Sequence, residues 1–558
     1  MRDKVLLVTG GLITSQETSL WQAARKCWSQ LARAQHAWLD VKIKLTTAEP
    51  LVARACEQAL SPRGARDQRR AVRDYFAAPV ETDTPPLTEV VLATLLDEEG
   101  LTYERMTLDT LYGDKTRAEQ LLADTNCVFL STTYLHDLSE LETVVRQLKR
   151  PHNRIVAGGA LVGVLSGKWQ GLPDIDLVAV GYGEMLVAGI AAWLRSGGRQ
   201  LQPPPRGRVE EGRHSRFLYS GVPASRSLDD LITPNWRQAE RDHGQLFPMI
   251  YYESVRGCPY RCSFCNYPFL FDDTVFRYKS ARKMADDWEE YEGQGVEYIT
   301  CLDSLFTIPR ERLAELCRLL IERRSRLKWI CYARADDLAD EGTVALMRAA
   351  GAHQVQIGIE SGDPELLDNM NKACSVEANR RALRNCRRHG LTSVVSLVVG
   401  FPGETAASLE RTYRFLEETP ADFYFLATFS TRVAGVPLLL PENRQRFALE
   451  VMPNLYSMAP YWRHRTMSCA DVGNHVRELD RRIMRNRVSL NATLFYQGMI
   501  AYDACKRDAL LEFQRRVAAN HFFVRGLFNL AHGWVDRRLK RDIARHFSAL
   551  KIEEAQVA

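Results

Sequence analysis

No stretch of this sequence approaches the ~20 consecutive apolar residues that a membrane-crossing helix requires, so a membrane protein is not expected. The opening residues, Met1 to Val8, carry an apolar run too short for a secretion signal. Internal repeats and low-complexity tracts are also missing. Excess charge is small: 74 Lys and Arg face 69 Asp and Glu, a net +5 over 558 residues. That balance demands neither nucleic acid nor an acidic membrane surface as partner. The 13 cysteines are an odd number without a secretion signal, which argues against a disulfide framework and for a reducing, cytoplasmic setting. What remains is an ordinary globular composition, 46% hydrophobic and 26% charged, in a chain long enough for several domains.

A fourth cysteine is missing where one would be looked for. Arg256-Gly257-Cys258-Pro259-Tyr260-Arg261-Cys262-Ser263-Phe264-Cys265 places three thiols in a C-x3-C-x2-C spacing directly after an apolar, strand-like run. Iron–sulfur clusters normally take four cysteines, so Cys258, Cys262 and Cys265 would leave one iron of a [4Fe-4S] cube open to a small molecule. A zinc site is the competing reading, and the second C-x2-C knuckle it usually needs is absent.

Along the chain, the first ~195 residues alternate strand-like and helix-like segments, the pattern of a parallel sheet covered on both faces. Strands are expected at Lys4–Thr9, Tyr103–Asp109, Cys127–Thr133, Arg154–Ala157 and Asp176–Val180. Small residues follow several of them: Gly10-Gly11, Ser131-Thr132-Thr133, Gly158-Gly159-Ala160 and Gly181-Tyr182-Gly183-Glu184. Ligands of open α/β sheets bind beyond the carboxyl ends of the strands, where glycine lets backbone approach a bulky group. An insertion at about 14–79 holds the helix-like run Trp21–Leu39 and a basic cluster ending Arg69-Arg70; it reads as a surface excursion or as a cap over the ligand face. Residues 196–247, with Pro203-Pro204-Pro205, read as a linker. From 248 to 432 six βα units recur, with strands near Tyr251–Arg256, Val296–Leu302, Lys328–Tyr332, Gln354–Ile359, Ser393–Val399 and Phe423–Thr428. That regularity predicts a partial barrel with its site at the carboxyl ends of the strands. Residues 433–558 read as a helical domain rich in Arg and aromatics.

With the three thiols in place, the ends of later strands acquire meaning. Ile357-Gly358-Ile359-Glu360-Ser361-Gly362 offers a carboxylate for ribose hydroxyls, Val399-Gly400-Phe401-Pro402-Gly403-Glu404 a turn for a nucleoside, and Arg334 a fork for a carboxylate. In this order after C-x3-C-x2-C they resemble the radical S-adenosylmethionine (SAM) superfamily. Together with the N-terminal sheet, residues 1–440 resemble its cobalamin-dependent branch. The resemblance implies an α/β fold in three parts: a Rossmann-like cobalamin-binding domain, a partial (β/α)6 barrel and an α-helical C-terminal domain. It implies three cofactors, a [4Fe-4S] cluster on Cys258, Cys262 and Cys265, SAM beside Arg334, Glu360, Ser361, Gly400 and Glu404, and cobalamin. Gly158, Gly159, Ala160, Gly181, Tyr182, Gly183 and Glu184 would border the corrin and its tail. The D-x-H-x-x-G motif that would ligate cobalt from below is missing, so Ser131, Thr132, Thr133, Tyr134 and Leu135 would face the lower side of the corrin.

Two residues are expected to steer the chemistry. Arg69 would sit near cobalt and keep the reduced metal nucleophilic, and Asp273, of the Asp272-Asp273 pair after the thiols, would occupy the open iron. A carboxylate there would favour polar methyl transfer over radical cleavage. The activity implied is methyl transfer from SAM through methylcobalamin to a carbon of a small molecule, an amino acid in the more specific resemblance, that to the tryptophan 2-C-methyltransferases of thiopeptide antibiotic pathways. A flavodoxin- or ferredoxin-like electron donor would be a partner. Other carbon or phosphorus methylases and ring-forming enzymes of the branch are the alternatives. From another class, an RNA-modifying protein would use the basic runs near Arg481 and Arg537, although solvated helix faces explain those runs without RNA.

Overall fold

The computed structural model describes residues 4–10, 37–60, 66–77, 84–135, 137–269, 273, 275–430, 435–452, 460–520 and 522–557. The chain divides into two compact units. The first comprises Met1–Lys26, Thr82–Tyr260 and Cys265–Trp329; the second comprises Cys27–Glu81, Arg261–Phe264 and Ile330–Ala558.

In the first unit, β1 (Lys4–Thr9), β2 (Thr102–Thr107), β3 (Cys127–Ser131), β4 (Arg154–Gly158) and β5 (Leu177–Val180) form the expected parallel sheet. Continuous apolar runs such as Val5-Leu6-Leu7-Val8 suit strands buried on both faces, and all four side chains are inaccessible to solvent. Beyond β5 the sheet continues with β7 (Arg216–Tyr219), parallel to it, and β6 (Arg208–Glu211), antiparallel on the edge, giving the order β2-β1-β3-β4-β5-β7-β6. The segment read as a linker therefore carries two strands and the helix Trp236–His243. Proline and glycine in that segment turn the chain between elements that are themselves short, which hid them. The core beneath this sheet gathers Val5, Leu7, Phe129, Val156 and Trp193.

The same unit holds β8 (Met249–Tyr252), β9 (Val255–Arg256), β10 (Arg277–Tyr278) and β11 (Tyr298–Cys301), with β8 and β11 parallel and β9 and β10 antiparallel.

β12 (Lys328–Ala333), most of which belongs to the second unit, and β13 (Ala352–Glu360), β14 (Thr392–Val399) and β15 (Phe423–Thr428) are neighbours in that order. They alternate with helices in the βα rhythm expected of the barrel. Two strands, β16 (Glu450–Met452) and β17 (Tyr461–Arg463), make a small antiparallel ladder, and β18 (Leu490–Asn491) pairs parallel with Phe423 and Tyr424 alone.

The insertion belongs here rather than with the N-terminal sheet. Its helices α1 (Ala37–Leu60) and α2 (Arg66–Phe76) pack with α3 (Cys469–Arg485), α4 (Arg507–Asn520) and α5 (Phe522–Val557). The contacts are specific: Lys42 pairs with Asp536 at 2.7 Å, Glu49 with Arg477 at 2.6 Å and Glu57 with Arg516 at 3.2 Å. Arg54 donates to the Leu494 carbonyl at 2.8 Å. Most of the run Trp21–Leu39 lies outside the described residues. No helix among those described is long and apolar enough to cross a membrane.

Candidate cofactor and cluster site

The three-thiol segment leaves β9 and returns through β10, so a two-residue ladder, Arg256 opposite Arg277 and Val255 opposite Tyr278, ties its base. Gly257 opens it at φ +75°, and a Cβ there would meet the Val275 carbonyl oxygen at 2.4 Å, so only glycine fits. Asp303, just after β11, holds the strand that leads in. Its carboxylate accepts from the Ser254 and Val255 amides at 2.6 and 2.8 Å and from the Ser254 hydroxyl at 2.5 Å. Burial pushes its carboxyl up to about 6, against the pull of Ser254 and Arg312. Ser304 donates to the Gly257 carbonyl at 2.8 Å. Sequence reasoning missed Asp303 and Ser304, although an acidic residue directly after a barrel strand was a visible signal.

Cys258, Cys262 and Cys265 are all half-buried and reduced. Around Cys262, within the second unit, the Ser263 amide donates to the Met370 carbonyl at 2.8 Å, Asn371 to the Arg261 carbonyl at 2.8 Å and the Leu438 amide to the Ser263 carbonyl at 2.9 Å. Phe264 meets Phe401 edge to face at 6.1 Å. Lys372 is buried, which works against its charge, but Glu360 at 2.7 Å and then the Cys262 sulfur outweigh that and keep its ammonium protonated. Among the described residues no group of three or more His, Cys, Asp or Glu side chains is drawn together at ligating range. The chemistry of the donor set nevertheless fits an iron–sulfur cluster: three accessible thiols on one anchored loop, and a neighbouring cation to offset thiolate charge.

The residues assigned to SAM are all in the second unit. Glu360 is the partner of Lys372. Ser361 is fully buried; its hydroxyl shares a bond with Thr412 and accepts from the Asp363 amide, so it shapes the turn rather than facing a ligand. Arg334 bonds Asp336 at 2.8 Å and the Lys372 and Ala373 carbonyls at 2.7 and 3.0 Å. Gly400 adopts φ +93°, and a Cβ there would strike Val472 at 2.6 Å. The Gly400 amide donates to Glu404, whose carboxyl burial pushes up to about 8. His464, stacked on Trp462, faces the Gly400 carbonyl at 3.2 Å and is lowered to about 4 by burial.

The loops assigned to cobalamin lie at the carboxyl ends of the first sheet. Thr132 donates to the Gly158 carbonyl through both its amide, at 2.7 Å, and its hydroxyl, at 2.8 Å. A Cβ on Gly159, at φ +102°, would meet the Thr133 hydroxyl at 2.8 Å. The Ser131–Leu135 loop and the Gly158-Gly159-Ala160 turn are therefore in contact, and Tyr134 stands exposed beside them. Gly181, at φ +103°, turns the chain into the helix Gly183–Arg195. Tight glycine turns at adjacent strand ends fit a large planar ligand.

Two further side chains of that turn face the base of the cluster loop. Arg256 forks onto Glu184 at 2.5 and 3.2 Å, holds Glu253 at 2.7 Å and lies over the Tyr182 ring at 4.9 Å. Burial opposes the charge on Glu184, yet Arg256 outweighs it and holds the carboxyl below its ordinary range.

Asp273 is held within the loop. Its Oδ2 accepts from the Tyr182 hydroxyl at 2.9 Å and from Arg277 at 2.6 Å, and its Oδ1 from the Val275 amide at 2.9 Å. Both oxygens of this buried carboxylate are engaged, two bonds on Oδ2 and one on Oδ1, and these bonds brace the loop. Asp272 lies outside the described residues. Arg69 is exposed on α2, which packs against α4 in the second unit. It was expected to accompany the N-terminal sheet.

Residues 252–416 match the Radical SAM superfamily. Among curated relatives, the anaerobic magnesium-protoporphyrin IX monomethyl ester cyclase of Rubrivivax gelatinosus is 32% identical over 209 residues, 36% of this chain and 37% of its own length. An uncharacterized methyltransferase of Pyrococcus horikoshii is 24% identical over 369 residues, 64% of this chain and 78% of its own. The fold is similar to that of the radical SAM methyltransferase TsrM from Kitasatospora setae. Its structure with cobalamin and a [4Fe-4S] cluster gives a TM-score of 0.56 at 16% identity, covering 98% of this chain and 100% of that one. A second structure of TsrM, with tryptophan substrate and a SAM analogue, gives 0.54 at 19% identity over 67% and 77%.

Proposed function

We propose that this protein is a cobalamin-dependent radical SAM methyltransferase, moving a methyl group from SAM by way of methylcobalamin to a carbon of a small amino-acid substrate. When bound, the cluster and corrin supply the electron and the methyl carrier; the chain supplies their cradles. The observation that carries this reading is the joining, in one chain, of a glycine-turned parallel sheet with a three-thiol loop whose base is clamped by Gly257, Asp303 and Arg256. Cys258, Cys262 and Cys265 would hold the cluster, and the Ser131–Leu135, Gly158–Ala160 and Gly181–Glu184 turns would hold the corrin. Arg334, Glu360, Gly400 and Glu404 would line the SAM side. Tryptophan, modified at C2, is the acceptor we favour, supported by the tryptophan-bound fold relative.

Replacing any one of Cys258, Cys262 and Cys265 by Ala removes a ligand, and the anaerobically reconstituted variant is expected to lose its iron–sulfur absorption and all methyl transfer. Cys301 and Cys386, buried elsewhere, serve as controls that keep both. A thiol-loop variant with intact cluster absorption and full turnover would overturn the assignment.

A further inference from the structure

The second unit contains a cavity of about 420 Å³ between α1, α3, α4, the start of α5 and the last four residues of β15. Its size falls in the range of roughly 300–1,000 Å³ that holds small molecules. The carboxyl end of a barrel strand is where such folds carry chemistry, and β15 presents that end here with its outer edge open. The strand β18 pairs with Phe423 and Tyr424 only. Because the Tyr424 carbonyl accepts from Ala492 on that edge, strand alternation places the amides and carbonyls of Leu426 and Thr428 on the same edge. Among the described residues these groups find no partner there, and both residues line the cavity.

Five charged side chains line the cavity, Glu49, Arg477, Asp480, Arg481 and Arg525, and Asp480 and Arg525 are the two that bear on a ligand. Asp480 accepts at Oδ1 from Tyr424, at 2.5 Å, and from Asn491, at 2.6 Å; among the described residues its Oδ2 accepts no hydrogen bond. Burial raises its carboxyl to about 6, against the pull of the Tyr424 and Asn491 hydrogen bonds. Arg525 makes no ion pair among the described residues, whereas Arg477 and Arg481 are held by Glu49 and Glu478. Ile43, Ala53, Phe425, Met484 and Val517 supply apolar wall.

An open carboxylate oxygen, an open guanidinium, a strand edge with free donors and acceptors, and apolar walls together match one ligand class. We propose that this cavity binds a free α-amino acid with a large apolar side chain, its ammonium on Asp480, its carboxylate on Arg525 and its side chain against Phe425 and Met484. Naming that amino acid as the methyl acceptor rests on the function proposed above; its binding does not.

Equilibrium binding to the full chain tests the site with three probes of one ring system: L-tryptophan, tryptamine, which lacks the carboxylate, and indole-3-propionate, which lacks the ammonium. The parent is expected to favour tryptophan at least tenfold over each analogue. Asp480→Asn keeps the acceptor for Tyr424 and Asn491, and should erase the preference over indole-3-propionate alone. Arg525→Met should erase the preference over tryptamine alone. Circular dichroism and melting of both variants should match the parent. Equal binding of all three probes by the parent, no binding of tryptophan, or folded variants that keep both preferences would overturn the site. Labelled methyl transfer separates the two readings. Methylation of an amino acid with unchanged KM in both variants rejects the cavity and keeps the function. Tryptophan bound with the expected preferences but never methylated keeps the cavity and rejects tryptophan as acceptor.

Discussion

Single residues here show how burial sets the terms. Glu404 is almost fully buried with the Gly400 amide as donor to its carboxylate, and its carboxyl is raised from 4.5 to about 8. A carboxyl raised in the folded state binds its proton more tightly there than in the unfolded chain. Its contribution is therefore complete below about pH 4.5 and declines as pH rises through 8, by at most about 1.4 kcal/mol per pH unit. Glu404→Gln retains an acceptor for Gly400 and removes the titration. The variant should melt with the parent at pH 5 and above it at pH 9; parallel melting curves across that range would contradict the shift. Residues that act by type were legible in the sequence: the three thiols by their spacing, and the glycines of the strand ends by their position. Residues that act through partners were not. Asp273 looked like a free carboxylate because Tyr182, 91 positions earlier, cannot be placed beside it by spacing.

Among the elements, the long central strands were readable because apolar runs bounded by glycine leave few alternatives, and β1 and β15 lie where the pattern predicts. The short strands β6 and β7 were not, since four-residue strands between proline and glycine read as loop. The insertion was read as an excursion or cap because its partners come more than 400 residues later. Glu57 and Arg516, 459 positions apart, are buried together. Removing one member of such a pair strands the other, at a cost on the order of 3–5 kcal/mol, whereas replacing both by apolar groups is often neutral. Glu57→Met should thus lower the urea midpoint sharply, and Glu57→Met with Arg516→Met should restore most of it. A single variant within about 0.5 kcal/mol of the parent would show that α1 is not part of the second unit's core.

At the scale of the whole molecule, the proposed methyl transfer would need the sheet to cradle a corrin, the clamped thiol loop to hold a cluster and the cavity to take an amino acid. The fold relatives agree with the architecture across nearly the full chain, but substrate and chemistry rest on side chains. The most direct measurement is anaerobic turnover of the full chain, reconstituted with iron and sulfide and loaded with cobalamin, given methyl-labelled SAM and L-tryptophan. The account predicts labelled tryptophan carrying one added methyl on an indole carbon, S-adenosylhomocysteine in at least equal amount, and no product when cobalamin is left out. Label that reaches neither tryptophan nor any other free amino acid, or product formed equally well without cobalamin, would contradict it.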